Sequence, residues 1–251
     1  MIDANLEGKR ALITGGASGI GLGTVKRFAE CGATVAINDI PDNPRLHEVE
    51  SELKGAGMKI ITAPADLTNA EATRKMVSIA AEKMGGLDYL INNAGTPNTS
   101  RPIPPSDLDR QDEAFWNVLL EINLRAPFRC VQAARPYLEA SNGAVVNTAS
   151  ISGFGGGGSS SAYSVTKAGL INMTKELARG LGPKIRVNAI APGMVNSDWQ
   201  CRFPNFQEQV SKIPLRRVGE PADYADAILF LCAGASYITG HTLLVDGGWS
   251  A

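Results

Sequence analysis

The sequence predicts an α/β fold: a doubly wound parallel sheet, covered by helices as three layers, α/β/α. Three observations carry that expectation. Apolar runs of strand length alternate with helix-length segments along the chain, which implies parallel strands with helices on both faces. Hydrophobic residues make up 44% of the 251 and charged residues 20%, enough for a sizeable core. No stretch has the composition of a linker, so residues 1–251 read as one domain.

The elements follow in order. Residues 10–14 form the first strand. Residues 19–31 form a helix with Ile20, Val25, Phe28 and Ala29 on one side, stopped by Gly32. Strands are predicted at 34–39 and 59–63, a helix at 69–84 and a fourth strand at 88–92. A Pro-rich loop at 101–105 precedes a long helix over about 112–138, then a strand at 144–148. A helix at 162–180, a strand at 185–191 and an irregular stretch come next. Pro221 opens a helix to about 233, and a strand at 242–246 ends the sheet. Right-handed crossovers between parallel strands make the sheet doubly wound. The Gly- and Ser-rich patch at 153–161 lies between strand and helix, at the sheet edge where ligands of open α/β sheets bind.

Bulk properties exclude several classes. A formal net charge of -1 offers no broad attraction to nucleic acid or anionic membrane. Cys31, Cys130, Cys201 and Cys232 are far apart, without metal-ligand spacing or a disulfide framework, and read as idle thiols of a reducing compartment. No apolar run is long enough to span a bilayer, and residues 1–8 lack the build of a secretory signal. A cytoplasmic protein is expected.

The segment Thr14-Gly15-Gly16-Ala17-Ser18-Gly19-Ile20-Gly21 joins the first strand to the first helix. A tight Gly-rich turn lets backbone approach a pyrophosphate, and the amides and dipole of the helix start favour its charge. Strand, turn and helix in this order point to a dinucleotide on a Rossmann fold. Asp39, eighteen residues after Gly21, stands where an acid accepts hydrogen bonds from the adenosine ribose hydroxyls. It would repel the extra phosphate of NADP, and neither Ser18 nor the residues after Asp39 are basic, so NAD is expected over NADP. The alternative for Asp39 is a loop acid with no ligand.

Tyr163 and Lys167 stand four residues apart, on one face of a helix. An ammonium near a phenol favours the phenolate and lowers the phenol's pKa. That would make Tyr163 a usable proton donor or acceptor. Ser150, thirteen residues earlier at a strand end, could bind a substrate oxygen. Taken alone, Tyr-x-x-x-Lys is an ordinary solvated helix face.

Taken together, the motifs resemble those of the short-chain dehydrogenase/reductase family in its single-domain form, over nearly the whole chain. Residues 14–21 are similar to its TGxxxGxG, and Asn92-Asn93-Ala94-Gly95 is its NNAG. By this resemblance Gly15, Ser18, Gly19, Ile20, Gly21, Asp39, Asp66, Leu67, Asn93, Ala94 and Gly95 would bind the cofactor. Pro192, Gly193, Val195 and Ser197 would meet its nicotinamide, and Tyr163 and Lys167 would also touch it. Ser197 stands where the family more often has Thr, and keeps the hydroxyl. Asp246-Gly247-Gly248 is also typical of the family.

The resemblance implies hydride transfer between NAD(H) and an alcohol or ketone, with no metal. Asn123, Ser150, Tyr163 and Lys167 would be catalytic. Tyr163 would act as general acid/base, Ser150 would orient the reacting oxygen, and Lys167 would hold the nicotinamide ribose and bias Tyr163. Asn123 would support a relay water reaching Lys167. A substrate lid is expected around 194–214, with Trp199, Phe203 and Phe206 either meeting an apolar substrate or packing the lid down. Thr96, Pro97 and Phe154 would line the substrate wall. A homotetramer is implied, with Phe115, Leu119, Ile122, Leu170 and Met173 as candidate contacts or else simple core. Two rivals stay open: an NADPH-dependent carbonyl or 3-oxoacyl reductase, and a cofactor-binding regulator without turnover.

Overall fold

Strand β1 (Arg10–Thr14) shows how the sheet arises: Ala11 and Ile13 face one layer of core, Leu12 the other, and all three are buried. Side chains alternate along a strand, so a strand apolar on both faces needs cover on both. Strands β2 (Thr34–Asn38), β4 (Tyr89–Asn92) and β5 (Ala144–Thr148) are buried in the same way. The structure, a computed structural model, describes residues 4–155, 157–196 and 206–251.

With β3 (Ile60–Thr62), β6 (Arg186–Pro192) and β7 (Thr242–Val245), the strands form one seven-stranded sheet in the order β3-β2-β1-β4-β5-β6-β7. Every pairing is parallel, with Leu12 opposite Ala36 on one side and Leu90 on the other. The order reverses between β1 and β4, which opens a crevice at their carboxyl ends. Each of the seven strands begins within one residue of where the sequence places it.

Helices α1 (Gly19–Glu30), α2 (Pro44–Gly55) and α8 (Pro221–Leu229) bury Val25, Phe28, Leu46, Val49 and Ile228 against one face. Helices α3 (Ala70–Met84), α5 (Ala126–Ser141) and α6 (Ser161–Leu181) cover the other with residues such as Met76, Val77, Val131, Leu138 and Ala178. At Gly23 a Cβ would stand 2.8 Å from Pro221 Cβ, so glycine lets α1 and α8 approach.

Three features differ from the sequence reading. Helix α2 was not expected, since its mean character is polar. Yet Asn43 caps it by accepting from the Arg45 amide, and Leu46, Val49 and Leu53 form its buried face. The long helix over about 112–138 is interrupted: a π-helical turn, Glu121–Arg125, separates α4 (Glu113–Leu120) from α5. The irregular stretch after β6 contains a short helix, α7 (Phe206–Lys212). Among the described residues no helix is long and apolar enough to cross a membrane.

Candidate active site

The cradle is built where β1 hands over to α1. Gly15 and Gly19 adopt positive φ of 62° and 52°, which glycine reaches without strain. At Gly21 a Cβ would stand 2.0 Å from the Gly15 carbonyl oxygen and 2.6 Å from Asn93 Nδ2, so no other residue fits this turn. Asn93 Nδ2 donates to the Thr14 and Gly15 carbonyls at 3.1 Å each. The Thr14 hydroxyl accepts from the Asn93 and Ala94 amides at 3.0 Å each. The end of β4 is therefore bolted to the glycine turn. Asn92 points away: buried, it donates to Asn147 Oδ1 at 2.9 Å.

Ser18 is the N-cap of α1 but makes no side-chain cap bond, which leaves the first-turn amides to an anion. Ser18, Gly19 and Ile20 face a cleft of about 810 Å³ that runs along the carboxyl edge of the sheet. Asp39 lies on its wall: Oδ2 accepts from the Ala17 amide at 3.2 Å, and Oδ1 from the Ile40 amide and Asn43 Nδ2 at 3.0 Å each. Asp66 and Leu67 line the same end, where Asp66 accepts from the Thr68 amide and hydroxyl. Glycines without clashing side chains, open amides and a flanking carboxylate suit an extended dinucleotide.

Ser150, Tyr163 and Lys167 line the far end of the same cleft. Ser160 caps α6 by accepting from the Tyr163 amide at 3.0 Å, which starts the helix so that Tyr163 and Lys167 share one face. Lys167 Nζ is buried and donates to the Thr148 carbonyl at 2.8 Å; it lies 5.6 Å from the Tyr163 ring centroid. Ser152 Oγ donates to Ser150 Oγ at 3.0 Å, and Ser150 in turn hydrogen-bonds Tyr163.

The electrostatics correct one expectation. Desolvation pushes the Tyr163 phenol up to about 12, opposed by the Ser150 hydrogen bond. Desolvation also brings the Lys167 ammonium down to about 8. The expected lowering of the phenol pKa by Lys167 is not found. The ammonium lies 5.6 Å from the ring centroid, and loss of water around the phenol dominates.

Asn123 sits on the π-helical turn, fully buried. Its Oδ1 accepts from the Thr96 amide at 2.9 Å, and its Nδ2 donates to the Thr96 carbonyl at 3.0 Å and to Thr166 Oγ1 at 3.3 Å. A Cβ at Gly95 would lie 3.2 Å from Asn123 Oδ1 and 3.3 Å from Lys167 Nζ, so glycine here leaves the space between the two open. The Asn123 side chain is thus committed to Thr96 and Thr166.

Pro192, Gly193 and Val195 reach the cleft from the end of β6. Gly193 passes so close to Asp246 that a Cβ would stand 2.7 Å from its Cβ. Asp246 meanwhile accepts from the Gly248 and Ser250 amides at 2.9 Å each, folding the C-terminal segment back. Thr96 and Pro97 line the cleft, but Phe154 does not. It ends a short 3-10 turn, Ile151–Phe154, that turns its ring outward, 55% exposed. Ser197, Trp199 and Phe203 lie outside the described residues. Sequence reasoning missed Ser152, Ser159, Gln209 and Trp249, all on the cleft wall. Ser152 could have been found two residues after Ser150; Trp249 is brought in only by the fold of the C-terminus. Among the proposed assembly contacts, Leu119 and Leu170 are buried within the chain and belong to its core.

Comparison with known proteins bears on this geometry. The family model described as enoyl-(acyl carrier protein) reductase matches residues 15–250. The 3-oxoacyl-[acyl-carrier-protein] reductase FabG of Thermotoga maritima is 37% identical, over 97% of this chain and 98% of its own. A short chain dehydrogenase from Burkholderia cenocepacia J2315, solved in complex with NADP, superposes with a TM-score of 0.89 at 35% identity, covering 98% of this chain and all 100% of the other. A 7α-hydroxysteroid dehydrogenase complexed with NADH and 7-oxo glycochenodeoxycholic acid matches with a TM-score of 0.89 at 30% identity, over 98% of this chain and 96% of its own. The chain belongs to the short-chain dehydrogenase/reductase family. It is an oxidoreductase that uses a nicotinamide dinucleotide on CH–OH or carbonyl groups.

Proposed function

We propose that the chain is an NAD-preferring dehydrogenase in which Tyr163 is the general acid/base. One observation carries this reading: Ser150, Tyr163 and Lys167 stand at one end of a single cleft whose other end holds the glycine cradle and Asp39. Bound along that cleft, NAD(H) supplies the hydride acceptor or donor. The first-turn amides of α1 hold its pyrophosphate, with Gly15 and Gly21 giving the backbone room. Asp39 accepts from the adenosine ribose hydroxyls, and Asp66 and Leu67 flank the adenine. Asn93, Ala94, Gly95, Pro192, Gly193, Val195 and Ser197 frame the nicotinamide half.

Tyr163 donates its proton to the carbonyl oxygen in reduction and takes the hydroxyl proton in oxidation. Ser150 hydrogen-bonds the same oxygen and fixes its direction. Lys167, held by Thr148, presents its ammonium to the nicotinamide ribose and to the phenol. Asn123 acts by holding Thr96 on the wall. Desolvation keeps the phenol neutral over the whole physiological range, the protonation state that reduction uses. Tyr163→Phe tests the assignment: kcat should fall by about 10²–10⁴-fold. A variant close to wild type would remove the mechanism.

A second reading, an NADPH-dependent 3-oxoacyl reductase, is favoured by the FabG relative and by the structure solved with NADP. Comparison of kcat/KM for the two cofactors separates them. The whole chain would work as one domain with a lid around 194–214, and as a homotetramer. Exposed Val118, Phe128 and Val165 on α4, α5 and α6 support assembly. The buried free thiols of Cys130 and Cys232 suit a reducing, cytoplasmic compartment.

A further inference from the structure

Ser150 is gripped twice by the residue two places on. Its Oγ accepts from the Ser152 amide at 3.2 Å, an ordinary cap of the 3-10 turn Ile151–Phe154. It also accepts from Ser152 Oγ at 3.0 Å, a bond that the cap does not need. Among the described residues, Ser150 Oγ is the one hydrogen-bond partner of the Ser152 hydroxyl. Ser152 is 3% exposed, and the Gly158 backbone packs over it: a Cβ at Gly158 would lie 3.0 Å from both Ser152 Cβ and Tyr163 Cδ1. A hydroxyl has one proton to give and two lone pairs that accept. When Ser150 donates its proton to an oxygen that carries negative charge, the amide and the hydroxyl of Ser152 fill both lone pairs. The hydrogen bonds then run in one direction, from Ser152 through Ser150 to that oxygen, and each strengthens the next.

We infer that Ser152 is a positioning residue: its hydroxyl donates to Ser150 Oγ and so holds the Ser150 proton on the reacting oxygen as negative charge develops there. Ser152 acts through Ser150 and does not itself touch the substrate. Its contribution belongs to the transition state, where the charge appears, and not to the binding of ketone or cofactor. This inference rests on the proposed roles of Tyr163 and Ser150.

The test is a double-mutant cycle over wild type, Ser152→Ala, Ser150→Ala and the double variant. Reduction of ethyl acetoacetate and of cyclohexanone is followed with NADH and with NADPH, so that cofactor preference does not decide the outcome. Ser152→Ala keeps the capping amide and removes only the hydroxyl. It should lower kcat about tenfold and leave KM for ketone and cofactor unchanged. Once Ser150 is replaced, removal of the Ser152 hydroxyl should cost nothing further. Ser152→Cys fills the same space with a weak donor and should fall between wild type and Ser152→Ala. It also carries the cycle if the alanine variant does not fold. Equal losses from Ser152→Ala with and without Ser150 would mark a merely structural role and overturn the inference. So would a wild-type kcat in Ser152→Ala while Tyr163→Phe is inactive. Full activity in Tyr163→Phe would instead remove the dehydrogenase mechanism, and the inference with it.

Discussion

Lys167 Nζ reaches across from α6 to the Thr148 carbonyl, 2.8 Å away at the end of β5. That bond fixes a buried ammonium toward the ring of Tyr163. Replacing it by Met removes the charge and the anchor together while keeping most of the apolar stem. Lys167→Met should lower kcat/KM by at least about 10²-fold, with KM for the cofactor raised. Steady-state kinetics with varied NADH checks both.

Protonation states set the pH dependence. Oxidation needs the ionised phenol, and its pKa stands at about 12, so the reactive fraction grows as pH rises toward that value. Oxidation should therefore accelerate steadily from pH 6 to pH 10, about tenfold per unit where this group alone controls it. Reduction needs the neutral phenol, present throughout. Its rate should be flat at low pH and decline once Lys167 loses its proton above about 8. Profiles of kcat/KM in both directions test this; an oxidation rate independent of pH would contradict the assigned phenol.

Gly21 is the tightest point of the cradle, where an added Cβ would come within 2.0 Å of the Gly15 oxygen. Gly21→Ala forces the turn open, a strain of about 1–3 kcal/mol. Dinucleotide affinity should fall by tenfold or more, and thermal unfolding should shift down. Fluorescence titration with NADH reads the first effect, calorimetry the second. Unchanged affinity would show that the pyrophosphate does not lie on this turn.

Asp39 both anchors the Ala17 amide and faces the adenosine end of the cleft. Asp39→Ser removes the charge that opposes a 2′-phosphate. The ratio of kcat/KM for NAD to that for NADP should drop by about 10²-fold, since unfavourable like-charge contacts cost several kcal/mol. If wild type already prefers NADP, the preference assigned to Asp39 fails and the reductase reading takes its place.

Light scattering addresses assembly. Val118, Phe128 and Val165 remain exposed on the helices around the site. A tetramer is the expected mass, and a monomer would leave these side chains without the proposed role.

Much of this protein was legible before any fold was known. Strand starts could be read because buried parallel strands need apolar runs, a local property of the chain. The cradle, Asp39, the Asn92–Gly95 motif and the Tyr163–Lys167 pair were legible because each depends on short spacings within one turn, strand end or helix face. Helix α2 escaped notice because burial of three residues, Leu46, Val49 and Leu53, outweighs its polar composition. What only the tertiary structure decided involves residues far apart in sequence. It paired Asn123 with Thr96 and Thr166, turned Phe154 outward, and brought Trp249 to the cleft. It also set the phenol's acidity, because desolvation depends on everything that surrounds a side chain, and spacing along one helix does not reveal that.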